Sequence, residues 1–319
     1  MAELERQDSE DNWERKTLEK VALAAITEQR RARYWGILFK SLGFIYLFVI
    51  LFIGVGWIGK KESRPEKHTA MVELRGVIAA DTRASADIIM SGLQEAFEDK
   101  RTQGVILRIN SPGGSPVQAG HINDEIRRLR EKYPKIPLYA VIEDICASGG
   151  YYVAVAADRI YVDKASIIGS IGVLIDGFGF TGTMEKLGVE RRLLAAGDNK
   201  GFLDPFSPVV ESQRAHAEKM LGEIHQQFIT VVKNGRGTKL KDTPELFSGL
   251  IWAGEKSIEL GLADELGGVD YVAREVVKAE DIVDFTPREN FAERLAKRFG
   301  AGMGEALARL GVTGNLSLR

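Results

Sequence analysis

Residues Ser41–Gly59, SLGFIYLFVILFIGVGWIG, run for 19 positions without a charged side chain. A helix rises ~1.5 Å per residue, so the run spans about 28 Å, close to the apolar thickness of a bilayer. In lipid such a segment must be helical, because only internal hydrogen bonds can satisfy its peptide groups. The run therefore predicts a single transmembrane helix, with Tyr46 and Trp57 suited to the two interfaces. A cleaved signal peptide and a buried soluble helix are the rival readings. About 40 residues precede the run and no small-x-small cleavage site follows it, which disfavours the first.

The span divides the rest of the chain. Residues 1–34 form a charged N-terminal tail or solvated helix, 35–59 the anchor and 60–70 a polar linker. Residues 71–280 form the main domain, and 281–319 a C-terminal amphipathic extension. The extension places Phe291, Leu295, Phe299, Met303, Leu307 and Leu310 near one helical face, interrupted by Gly300, Gly302 and Gly304. Basic residues flank both ends of the span: Arg30, Arg31, Arg33 and Lys40 before it, Lys60, Lys61, Arg64, Lys67 and Arg75 after it. Arg15, Lys16 and Lys20 tip the balance slightly towards a cytoplasmic N-terminus.

Composition excludes some chemistry. A net charge of −2 gives no footprint for nucleic acid. The single cysteine, Cys146, excludes an internal disulfide and a multi-cysteine metal site. No metal and no cofactor are expected; the glycine-rich segment Ile109–Ser115 carries neither the Walker pattern nor GxGxxG.

From Met71 onward, strand and helix patterns alternate. MVELRGVIA, GVILRIN, PLYAVIE and RIYV read as strands, with GSIGVLI and VERRLLAA as further strand candidates. SADIIMSGLQEAFED carries Ile88, Ile89, Leu93, Ala96 and Phe97 at helical spacing. VQAGHINDEIRRLREK carries Val117, His121, Ile122, Ile126 and Leu129, and Val209–Asn234 reads as one long helix. The alternation predicts an α/β domain with parallel pairing.

Two glycine-rich segments follow strands. INSPGGS, Ile109–Ser115, can present backbone N–H groups at a helix N-terminus to an anion, either a phosphate or an oxyanion. CASGGYYVAVAA puts Ser148 at a strand-to-helix turn, as a helix N-cap or as an exposed nucleophile. Cys146 reads as a small buried hydrophobe, with a thiol nucleophile as the rival. A serine nucleophile needs a base. His68, His121, His216 and His225 lie in a linker or among helix charges and are poor candidates. A lysine serves if its surroundings lower its pKa. Lys200 stands in a loop between Gly197 and Gly201, where most lysines are simply solvated.

Five segments in this order after one N-terminal span, INSPGG, CASGGYYVA, GSIGV, AGDNKGFLDPFSP and GLADELGG, resemble the signal peptide peptidase A family in its short, single-copy form. The resemblance covers roughly Met71–Lys278. It implies a Clp-protease/crotonase-like fold of repeated ββα units, and a membrane-anchored serine endopeptidase. It implies Ser148 as nucleophile, Lys200 as general base, Ser170 as the hydroxyl orienting that lysine, and the amides of Gly114 and Gly149 as the oxyanion hole. It further implies peptide substrates, namely residual signal peptides, a homo-oligomeric ring, and a domain on the outer side of the bacterial cytoplasmic membrane. Two alternatives stay open: a crotonase-type enzyme acting on a CoA thioester, and a non-catalytic membrane scaffold of the same fold.

Overall fold

The computed structural model describes residues 2–54, 65–241 and 243–287. The end of the apolar run with Trp57, most of the linker, and the extension beyond residue 287 lie outside the described residues. The described chain falls into two compact units, one holding the N-terminal helix and the other residues 65–287.

The first unit contains α1, Ala2–Gly54, unbroken from the charged segment into the apolar one. Its Lys20–Phe52 portion is long and apolar enough to cross a membrane. Phe44, Ile45, Tyr46 and Leu47 are all exposed along it.

The second unit is built on a mostly parallel eight-stranded sheet in the order Ile251–Ala253, Ile167–Gly169, Leu138–Ala147, Thr102–Ser111, His68–Arg75, Ile282–Asp284, with Arg159–Val162 pairing both Leu138–Ala147 and Glu265–Leu266. Its first three strands are β1 (His68–Arg75), β2 (Thr102–Ser111) and β3 (Leu138–Ala147). They pair in parallel, Val72 beside Leu107 and Leu107 beside Ala140. Val105, Ile106, Leu107 and Ile109 are fully buried, which is why these strands read as continuous apolar runs rather than as alternation. The crossovers are α2 (Ala86–Glu98) and α3 (Pro116–Lys132). α2 buries Ile89, Leu93 and Phe97; α3 buries Ala119, Ile122, Ile126 and Leu129.

β3 serves two partners along its length. Its first half pairs β4 (Arg159–Val162), and its last residues, Ile145–Ala147, pair β5 (Ile167–Gly169). Between β3 and β4 lies the short α4 (Gly149–Ala154). α5 (Thr181–Leu187) and the long α6 (Glu211–Arg236) follow, then β6 (Ile251–Ala253), α7 (Gly254–Glu259), β7 (Glu265–Leu266) and β8 (Ile282–Asp284). β6 pairs β5 antiparallel, while β8 lies parallel to β1. The α/β class and the long helix follow the sequence pattern.

Three expectations need correction. VERRLLAA, residues 189–196, is not a strand: no described segment pairs with it, and Leu194 is 96% exposed. Of GSIGVLI only Gly169 is in a strand, because the chain turns out of the sheet at Ser170. On α3, Val117 and His121 face solvent; the buried polar member of that helix is Asn123, whose side-chain amide donates to the Tyr152 carbonyl at 2.7 Å.

Residues 173–210 form an arm around α5. Phe180 stacks on Phe206 at 5.4 Å, Arg191 lies over the Phe206 ring, and Asp204 accepts from the Ser207 hydroxyl at 2.6 Å. The arm has local order but no core. Leu174, Phe178 and Leu187 are each more than 70% exposed.

Candidate active site

Ser148 follows the last residue of β3 and sits at φ 51°, ψ −122°. A non-glycine residue at positive φ carries roughly 1–3 kcal/mol of strain and persists only where its surroundings hold it. Here the Ser148 N–H donates to the Gly169 carbonyl at 2.8 Å, and the Ser148 carbonyl accepts from Tyr152 at 2.9 Å. Residue 148 occupies the N-cap position of α4, yet its hydroxyl makes no capping bond. The N-cap reading accounts for the position but not for the side chain, which lines a cleft of about 520 Å³.

The loop after β2 meets this elbow directly. The buried Ser111 hydroxyl donates to the Gly76 carbonyl at 2.6 Å and accepts from the Gly113 N–H at 3.1 Å. The bonds Ile78 N–H to Gly113 O and Ser115 N–H to Ile78 O, both 2.8 Å, hold the loop's other side. Gly113 and Gly114 have φ of 100° and 146°, conformations that favour glycine. A Cβ on Gly113 would lie 2.6 Å from the Gly149 nitrogen, and a Cβ on Gly149 would lie 3.2 Å from the Gly114 nitrogen. The two glycine segments are thus in backbone contact beside Ser148. Gly149 opens α4, where an N–H has no intrahelical acceptor. Neither its amide nor that of Gly114 has an acceptor among the described residues. Two free donors at the foot of a serine suit a developing oxyanion.

Ser170 lines the same cleft. It too has positive φ, 53°, with its N–H on the Leu250 carbonyl at 2.7 Å and its carbonyl accepting from Gly172 at 2.9 Å. The remaining walls are largely apolar, including Pro116, Val173, Leu174, Ile224 and the tilted ring pair Tyr152–Phe228, 5.2 Å apart. Cys146 is fully buried in the sheet, and burial pushes its thiol well above the ordinary range. A thiolate does not form there, so the thiol alternative loses its footing.

Four of the five site residues read from the sequence therefore converge: Ser148, Ser170, Gly114 and Gly149. Lys200 does not join them within the chain. It is exposed in the arm, its N–H on the Gly197 carbonyl at 3.0 Å. Its neighbour Asn199 accepts from Gln213 at 3.2 Å in the first turn of α6, and Phe202 meets the His216 ring edge-on. The first of the α6 residues that line the cleft, Ile224, is 11 positions beyond Gln213, about 16 Å along the helix axis. A lysine side chain does not bridge that span.

The sequence reading passed over the residues that brace the site. Ser111 stood in a quoted motif, but its bonds to Gly76 and Gly113 exist only after β1 and β2 pair. His225 read as a surface or packed histidine; its Nε2 lies 3.1 Å from the Ile171 carbonyl. None of the four histidines lines the cleft.

As arranged, the centre can expose a serine hydroxyl to an extended carbonyl substrate and stabilise the resulting oxyanion. Comparison with known proteins fits that chemistry. The profile of peptidase family S49 matches residues 130–283. A candidate protease of Methanocaldococcus jannaschii is 31% identical over 225 residues, covering 67% of this chain and 71% of that protein. A candidate signal peptide peptidase of Enterococcus faecium is 29% identical over 235 residues, covering 71% and 67%. The Na(+)/H(+) antiporter NhaA of Brucella melitensis is 47% identical over 175 residues, 55% of this chain. The chain spans only about a quarter of that antiporter's length, 24%. On the two-thirds coverage of the archaeal relative and the family match, the chain belongs to peptidase family S49.

Proposed function

We propose that this protein is a membrane-anchored serine endopeptidase with Ser148 as nucleophile and Lys200 as general base. The observation that carries the reading is the strained, uncapped Ser148 set against the free amides of Gly114 and Gly149. The Ser148 hydroxyl attacks a peptide carbonyl while its proton passes to a neutral lysine amine. The two amides hold the oxyanion, and the lysine returns the proton to the leaving amine. Water then releases the acyl group, with the lysine again as base. Ser170 supports the amine.

An ordinary lysine has a pKa of ~10.4, and only dry surroundings make it a base near neutrality. The exposed arm supplies none within the chain. A neighbouring copy does: docking the arm's apolar side chains on a second molecule buries them and carries Lys200 to that copy's Ser148. A closed ring of such contacts is the homo-oligomer of this proposal. α1 anchors each copy once, with the catalytic unit on the outer side of the bacterial cytoplasmic membrane. The apolar cleft favours extended apolar peptides, and residual signal peptides are substrates of that kind. The Enterococcus faecium relative is a candidate signal peptide peptidase.

A serine-reactive phosphonate tests the reading. Labelling that disappears in Ser148→Ala supports it. Equal labelling of the variant, or unchanged peptide cleavage by it, removes Ser148 from the mechanism. A crotonase-type enzyme or a scaffold predicts no labelling of Ser148.

A further inference from the structure

We propose that His225 is a positioning residue of this centre, holding the Ser170 turn in its strained conformation from the opposite wall of the cleft. The inference rests on reading Ser148 as the nucleophile and Ser170 as its supporting hydroxyl. His225 lies on α6 between Ile224 and the pair Gln227–Phe228, all three of which line the cleft. Its Nε2 is 3.1 Å from the carbonyl oxygen of Ile171, 54 positions earlier in the chain. A carbonyl only accepts, so the imidazole carries a proton on Nε2, whether neutral or charged.

The turn at Ser170 is tied at three points. The Ser170 N–H donates to Leu250, its carbonyl accepts from Gly172, and the next carbonyl, that of the fully buried Ile171, accepts from His225. The first two are backbone bonds that any side chains at those positions would permit. The third depends on one side chain. A serine at φ 53° needs over-determination from its surroundings. Without His225 the Ile171 carbonyl loses its partner in a part-buried site. The turn then relaxes towards negative φ and takes the Ser170 hydroxyl out of line. The same bond also couples the two walls of the cleft, since α6 carries one and the segment Gly172–Leu174 the other.

The test is steady-state cleavage of an apolar peptide by full-length protein in detergent, comparing His225→Leu, His225→Gln, Ser170→Ala and the double variant Ser170→Ala/His225→Leu. The expected result for His225→Leu is a ~10- to 100-fold loss in kcat, the scale of a small misplacement, with KM within about twofold. Glutamine keeps an N–H donor at similar reach and restores most of the rate. In the Ser170→Ala background, His225→Leu adds no further loss, because it acts through a hydroxyl already removed. Where leucine prevents folding, judged by circular dichroism, His225→Asn keeps the polarity but shortens the reach, and loses kcat where Gln does not.

Unchanged kcat in a folded His225→Leu protein overturns the proposal, as do losses that multiply in the double variant. The Ser148→Ala control separates the two levels. If it keeps activity, the nucleophile reading fails; if it is inactive while His225→Leu is unaffected, only the role of His225 fails.

Discussion

The elbow around Ser148 and the arm around Lys200 belong to one chain but are finished to different degrees. The elbow stands at the end of β3, between β2 and β5, with Tyr151 and Cys146 fully buried beside it. Every strained residue there has a named tether. The arm holds itself by local contacts around Phe180, Phe206 and Asp204, and leaves Leu174, Phe178, Leu187 and Leu194 in solvent. Exposed apolar side chains of this kind suit the subunit contact proposed above. On the proposed mechanism, the difference puts the nucleophile in a self-sufficient core and the base on a segment that association would complete.

The sharpest way to break this comparison is to remove each half of the proposed dyad. Ser148→Ala should keep the fold and lose on the order of 10⁶-fold in kcat, the scale seen when a serine nucleophile is deleted. Cys146→Ala should retain substantial activity; an inactive but folded Cys146→Ala protein reopens the thiol reading. Lys200→Arg keeps the positive charge but cannot give up its proton. It should lose roughly 10²–10⁴-fold, the range of general-base catalysis. Mixing inactive Ser148→Ala protein with inactive Lys200→Arg protein, after dissociation and reassembly, should restore cleavage. Continued inactivity of a mixture shown to have co-assembled would return Lys200 to its own chain.

Stability should divide along the same line. Leu107→Ala, at a fully buried β2 position, should cost about 2–5 kcal/mol in denaturant unfolding. Leu194→Asp, in the arm, should change the unfolding free energy of the dissociated chain by less than about 0.5 kcal/mol. Sedimentation should show it weakening self-association, with cleavage falling in step. An assembly indifferent to Leu194→Asp would place the subunit contact elsewhere.

A further expected effect concerns acid. Burial alone would raise the Asp264 carboxyl, but hydrogen bonds from Arg236 and Lys239 outweigh it and hold the group below its ordinary value. Its contribution is therefore present above the ordinary carboxylate pKa of ~3.9 and is lost as pH falls through the lowered value. Thermal unfolding of wild type and Asp264→Asn should differ near neutrality and converge below about pH 4. A gap that widens in acid would contradict that sign.

These contrasts also explain how much the sequence disclosed. The strands GVILRIN and PLYAVIE were legible because a strand buried on both faces leaves a continuous apolar run. VERRLLAA misled because an apolar pattern reports a wish for burial, not the presence of a partner strand in the same chain. Ser148 was findable as a residue at a strand-to-helix turn. Its free hydroxyl was not, because the positive φ depends on the Gly169 carbonyl delivered by β5. His225 gave no local signal at all, since its acceptor lies 54 positions away. Lys200 stood out only by resemblance, and the chain alone leaves it in solvent.

The sheet order has a consequence for synthesis. Among the described residues β1 is the first strand of this unit to leave the ribosome, and it pairs with β8, the last. The Thr286 hydroxyl accepts from the Glu73 N–H across 213 positions of sequence. Until those late residues emerge, β1 keeps an open edge that can recruit a foreign strand, and pairing so distant in sequence is slow. Translation must therefore deliver nearly the whole unit before its first strand is sealed, so a nascent chain that stalls before β8 would retain an adhesive edge.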